Sequence, residues 1–201
     1  MSKRALVLAF AICCLSVRAL SQTAAPPTPT PTPLHKPKPE HFRAVASFPR
    51  AATNTAWADV RITRYSSDAT TKRLAALLVE GGQDALVSAL EKLKPIGKAS
   101  LSGRVGFFDL KLIRFRKTPT GRRIIAVSDR PINFLEAYNS GRSVDYELGI
   151  VVMDLKINKK GKEVGQGLLI YAAKVKINKK RQLEIEYLGI DPMTLGHIQK
   201  Y

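Results

Sequence analysis

Apolar and polar positions alternate along much of the chain beyond residue 40, and the places where the alternation changes define its elements. Phe42, Ala44, Ala46 and Phe48 form one period-two run and Ala58, Val60 and Ile62 another, with a break over residues 49–55 between them. Each predicts a strand with one buried face. The period then lengthens. Asp68 can cap a helix that runs to Glu80, is interrupted at Gly81-Gly82 and resumes over residues 84–92, where Leu86, Leu90 and Leu93 mark one buried face. Lys92 and Lys94 suit the negative end of its dipole, and Pro95 ends it. Beyond the helix the pattern reads as strand over residues 97–102, 105–116, 122–128, 146–157, 164–177 and 183–190, with a last strand at 194–199. A short helical turn starting at Pro131 and closing over residues 139–141 is the exception. Tight turns join most strands, so antiparallel pairing is expected.

Strand length constrains the architecture. At 3.3 Å per residue, residues 164–177 would extend about 45 Å, against a diameter near roughly 40 Å for a domain of this size. Gly165 and Gly167 can bend that strand. In residues 146–157 the apolar phase slips from Leu148, Ile150 and Val152 to Met153, Leu155 and Ile157, as a β-bulge would make it. The expected fold class is therefore α+β: an antiparallel, strongly coiled sheet or barrel with one main helix, about 68–93, packed on or in it. An open sheet crossed by the helix is the alternative.

The hairpin after residue 177 allows a register to be stated. Leu183 opposite Ile177 places Lys176 against Glu184 and Lys174 against Glu186 on one face, and Val175 against Ile185 and Ala173 against Tyr187 on the other. A slip of one residue would set lysines against leucine and isoleucine. A short echo, Leu155-Lys-Ile-Asn-Lys-Lys160 and Val175-Lys-Ile-Asn-Lys-Lys180, reads as two charged turns at opposite ends of the sheet.

The first forty residues follow other rules. Lys3 and Arg4 precede an apolar run over residues 5–17, and Ala19-Leu20-Ser21 offers the small residues that a signal peptidase requires. The run is shorter than the ~20 residues that span a bilayer, and Phe10-Ala11-Ile12 lacks the small residue expected before a lipidated cysteine. Residues 1–21 thus read as a signal peptide, and the protein as exported to the periplasm or beyond. Seven of the twelve prolines lie between Pro26 and Pro39, so residues 22–39 read as an extended linker, either a stalk or a tolerated leader. A single globular domain is expected over residues 40–201.

The segments Val79-Glu-Gly-Gly-Gln-Asp-Ala-Leu86 and Ser128-Asp-Arg-Pro-Ile132 resemble a set of small secreted bacterial proteins that carry no assigned activity. The resemblance implies a secreted single domain over residues 40–201 and supplies no catalytic residue.

Charge sharpens the picture of partners. Thirty-three Lys and Arg face sixteen Asp and Glu, a net +17, and an expected cleavage after Ser21 would remove Lys3, Arg4 and Arg18 but no acid. Such a domain attracts polyanions. Both cysteines, Cys13 and Cys14, lie in the leader, which argues against a disulfide scaffold or a cysteine nucleophile. His35, His41 and His197 have no metal-binding spacing, no GxSxG elbow accompanies His197, and no cofactor motif is present. Gly161, Gly165 and Gly167 lack the helix and lysine of a phosphate loop and read as turn and bend. Glu184 and Glu186, about 7 Å apart at i and i+2 on a strand, have glycosidase spacing, but they read better as the solvated face opposite Leu183, Ile185 and Tyr187.

The densest cationic cluster is Lys111, Arg114, Arg116, Lys117, Arg122 and Arg123, folded by Thr118-Pro-Thr-Gly121 into one hairpin tip without an acid in the run. These six are the candidate anion-binding residues, as Arg forks suit phosphate and carboxylate. The competing reading is a solvated face. No catalytic, metal or cofactor residue is assigned. The expected function is a secreted, non-catalytic basic module for anionic polysaccharide or lipid headgroups. A barrel-type carrier of a small apolar ligand is the alternative, a hydrolase ranks last, and the export signal argues against nucleic acid as a partner.

Overall fold

The computed structural model describes residues 6–7, 38–47, 55–103, 106–132, 145–180, 182–187 and 191–201. The expected signal peptide and linker, except residues 6–7 and 38–39, and the helical turn expected after Pro131, except residues 131–132, lie outside them. The described elements are β1 (Leu6–Val7), β2 (Glu40–Ser47), β3 (Thr55–Ile62), α1 (Asp68–Glu91), β4 (Gly97–Leu101), β5 (Phe108–Thr118), β6 (Gly121–Ser128), β7 (Leu148–Ile157), β8 (Glu163–Ile177), β9 (Leu183–Tyr187) and β10 (Met193–Lys200). All pairings are antiparallel, and β2 to β7 form a meander. β7 continues onto β8, and β10 inserts between β8 and β2. Eight strands thereby close into a barrel, and no edge is left within it. β8 is long enough to leave the ring. Its first half pairs with β10 and its second half with β9, against which β1 lies in turn.

Two apolar layers hold this arrangement. Inside the barrel, Phe42, Ile62, Leu110, Ile113, Ile124, Met153, Leu169, Met193 and Ile198 are essentially inaccessible to solvent and fill the bore. Outside it, α1 lays Leu74, Leu78, Leu86, Val87 and Leu90 over Leu148, Ile150, Val152, Ile170, Ala173 and Val175. The helix therefore packs on the barrel, not in it. β7 lies between the layers, with Val151, Met153 and Leu155 facing in and Leu148, Ile150 and Val152 facing α1. The apolar phase slip in this strand is thus not a bulge in its own backbone, as expected from sequence. Its register with β6 is unbroken, and the irregularity sits in its pairing with β8, between Leu148 and Ile150.

The helix start differs by one residue from expectation. Ser67, not Asp68, is the N-cap: its backbone is extended and its hydroxyl accepts from the Thr70 N–H at 3.1 Å, a contact worth about 1 kcal/mol. The Gly81-Gly82 interruption is a kink within one helix, with Gly82 at φ 70°. It turns Gln83 inward, where its Oε1 accepts from the Val175 N–H (2.8 Å) and its Nε2 donates to the Asp145 carbonyl (2.9 Å).

The β8–β9 register is the one the charge pattern dictates, with Ile177↔Leu183, Lys176↔Glu184, Val175↔Ile185, Lys174↔Glu186 and Ala173↔Tyr187. Lys176 pairs with both Glu184 and Glu186, while Lys174 turns to Asp145 at 3.9 Å. The two echo segments build one turn twice. Asn158 Oδ1 accepts from the N–H groups of Lys160 and Lys162, and Asn178 Oδ1 accepts from those of Lys180 and Gln182. The two turns lie at opposite ends of β8, so their lysines do not merge.

Candidate functional site

The β5–β6 hairpin closes at Thr118↔Gly121, and Gly121 lies opposite Lys156 of β7, which lies opposite Val164 of β8. Glu40 at the start of β2 and Lys200 at the end of β10 reach the same end of the barrel. Side chains alternate in and out along β6: Ile124 and Arg122 point into the bore and Arg123 points away from it.

This alternation divides the six cations of the run. Arg122 caps the bore. Its Nε and Nη2 donate to both Glu163 oxygens at 2.7 Å, Nη2 and Nη1 donate to Glu40 at 2.8 and 3.2 Å, and Nη1 also donates to Tyr65 Oη at 3.0 Å. Tyr65 donates to Glu40, and Lys200 completes the cluster at 2.6 Å from Glu40 and 3.3 Å from Glu163. The guanidinium carbon lies 5.8 Å from the ring centres of both Phe42 and Phe115, and Tyr65 meets Phe115 edge-on at 4.9 Å. Burial works to raise the Glu40 pKa, but hydrogen bonds from Arg122, Lys200 and Tyr65 outweigh it and bring it down from 4.5 to about 2. Glu163 is lowered in the same way, burial opposing and Arg122 prevailing. Burial together with the Glu40 carboxylate raises the Tyr65 phenol.

Three more of the six are also paired. Arg123 holds Asp154 through two bonds of 2.5 and 2.8 Å. Arg114 ties the helix start to β5 by pairing with Asp68 at 2.6 Å and donating to the Ser66 carbonyl at 2.8 Å. Lys111 is buried far from the tip, 3.2 Å from Asp129 and donating to the Leu93 carbonyl at 2.9 Å. Arg116 and Lys117 are exposed, without a carboxylate partner among the described residues.

The fold supplies further cations that the sequence run does not contain. Lys156, Lys159, Lys160 and Lys162 of the β7–β8 turn are exposed and stand at the same end of the barrel as Arg116 and Lys117, with β6 between the two groups: Gly121 pairs with Thr118 of β5 on one side and with Lys156 of β7 on the other. With paired strands about 4.8 Å apart, β5 and β7 stand about 10 Å apart across β6, near one Debye length, so the fields of the two tips overlap. Exposed Phe115 (42%) and Ile157 (55%) accompany them. From sequence, Leu155 to Lys160 reads only as a charged turn; the register of β6 on β7 is what brings it to the same rim as the β5–β6 tip.

Around the side of the barrel from this rim, two adjoining clefts of about 600 and 710 Å³ open over β7, β8 and β10 and share Asp154, Gln166, Gly196 and His197. A Cβ at Gly165 or Gly167 would come within 2.0 or 2.1 Å of the carbonyl oxygens of Asp154 or Val152, so only glycine permits this approach of β8 to β7. His197 sits on the irregular stretch of β10 at φ 50°, a left-handed conformation costing roughly 1 kcal/mol for a residue with a side chain.

Among the described residues, no group of three His, Cys, Asp or Glu side chains could hold a metal, and no helix is long and apolar enough to cross a membrane. Glu184 and Glu186 face Lys176 and form no open carboxylate pair. The chain matches no family model, and no curated protein or solved structure matches it, so the site is read from its own geometry.

Proposed function

We propose that this protein is an exported, non-catalytic module that docks on an anionic surface of the cell envelope, acidic polymer or lipid headgroup, through the rim of its barrel. One observation carries the reading. At this end the acids Glu40, Glu163 and Asp154 are engaged by Arg122, Lys200 and Arg123, leaving Arg116, Lys117, Lys156, Lys159, Lys160 and Lys162 exposed and unopposed. Each Lys or Arg held near an anionic surface contributes about 1 kcal/mol, so several on one rim give firm but salt-sensitive binding. Phe115 and Ile157, on the bore side of the same rim, add exposed apolar area beside these cations. Read as a signal peptide, residues 1–21 support an envelope location, and their cleavage would remove β1 from its place beside β9. The alternative, a barrel-type carrier of a small apolar ligand, would place its ligand among the apolar side chains of the bore.

The test compares two quadruple alanine variants, one at Arg116, Lys117, Lys156 and Lys160 and one at the equally exposed Lys72, Lys92, Lys179 and Lys180. Binding to phosphatidylglycerol vesicles or to a polyuronate resin should fall steeply in the first and little in the second. Equal losses in both would reduce the effect to net charge and overturn the reading.

A further inference from the structure

The clefts beside the rim extend the proposed function from an anionic surface to a class of ligand. Gln166 and His197 present an amide and an imidazole to a single groove, beside the Asp154 carboxylate that Arg123 holds. Ser47 and Thr194 add hydroxyls at one end, and Lys156 stands at the other, next to the cationic rim. Half-buried Val45 and Leu168 give the groove short apolar stretches between these groups. Amide, imidazole and hydroxyl groups spaced by small apolar patches suit a sugar chain, whose rings offer hydroxyl edges and CH faces in alternation. A bilayer is too broad to enter such a cleft; a single polymer strand is not.

The backbone adds an independent observation. His197 holds a positive φ where glycine would be unstrained, and its exposed side chain lines both clefts. The positive φ belongs to the bulge in β10 between Gly196 and Gln199, and bulges re-aim a side chain beside functional sites.

We infer that the groove over Gly165, Gly167 and Gly196 binds a strand of acidic polysaccharide, with Gln166 and His197 holding sugar hydroxyls and Lys156 and the adjoining rim meeting the acidic groups. The inference rests on the proposed anion-docking function and narrows it to a glycan.

Binding of the full chain to a galacturonic acid hexamer, a neutral maltohexaose and phosphatidylglycerol vesicles tests it. His197→Gly and Gln166→Ala should each weaken hexamer binding about threefold to tenfold and leave vesicle binding unchanged. His197→Gly should hold or raise the melting temperature, because a left-handed position is relieved. Maltohexaose should bind more weakly than the acidic hexamer. Hexamer binding unaltered in both variants, or absent in the parent chain, would overturn the groove. Loss of vesicle binding in the rim variant alongside would show that docking on anions survives that failure. Should His197→Gly unfold, Gln166→Ala and Thr194→Ala carry the same comparison.

Discussion

Arg122 and Arg116 belong to the same hairpin, six residues apart and of the same chemistry, yet they do opposite things. Arg122 points into the bore, is largely buried and holds two carboxylates and a phenol; Arg116 points outward to water. Strand parity and the position of distant acids, not the density of charge, decide which cation is structural and which can meet a ligand. Arg123 is intermediate, outward but paired with a half-exposed Asp154.

The comparison predicts a graded series. Arg122→Ala leaves Glu40 and Glu163 largely buried without their main partner and should cost about 3 kcal/mol in urea unfolding, at the lower end for buried pairs because the cluster retains some solvent contact. A loss below about 1 kcal/mol, the range of exposed pairs, would show the cap to be dispensable.

Acid should act through the same cluster. Because the folded-state pKa of Glu40 lies near 2 and that of Glu163 is also lowered, the stability they provide is complete above their ordinary value of 4.5 and is lost as pH falls toward 2. The melting temperature should drop over that window in the parent chain. In the Glu40→Gln variant the drop should be shallower; an unchanged profile would assign the acid sensitivity elsewhere.

Arg123→Ala removes a pair with partial exposure and should cost between about 0.5 and 1 kcal/mol. Arg116→Ala and Lys117→Ala should stay within about 0.5 kcal/mol of the parent while lowering affinity for anionic vesicles. If Arg116→Ala destabilised as much as Arg122→Ala, the distinction between inner and outer cations would collapse.

How far the sequence disclosed this arrangement depended on whether the relevant partners were local. The β8–β9 register was legible because lysine and glutamate alternate on both arms of one hairpin, so a wrong register is visible as a mismatch. The coiled sheet was legible from a strand too long for the domain and the two glycines within it. β7 misled because the bore lies on one face and α1 on the other, which erases the period-two contrast. The division of the cationic run into paired and unpaired members was not legible, because Glu40, Glu163 and Asp154 come from strands well removed in sequence and local composition carries no trace of them. Lys156 to Lys162 were visible as residues but not as members of the same rim as Arg116. The strain at His197 left no sequence signal.

The insertion of β10 between β2 and β8 has a consequence for how the molecule forms. Every other contact of the ring joins strands that follow each other in the chain, whereas β10 must bridge the domain's first strand and the strand two places before it. Local hairpins therefore assemble cheaply, and joining the two ends of the meander carries the largest loss of chain entropy. Until residues 193–200 arrive, β2 and the first half of β8 each present an unpaired edge, the condition in which strands recruit strands from other molecules. The last eight-residue strand thus works as a clasp, and the time the chain spends unclasped sets its exposure to aggregation.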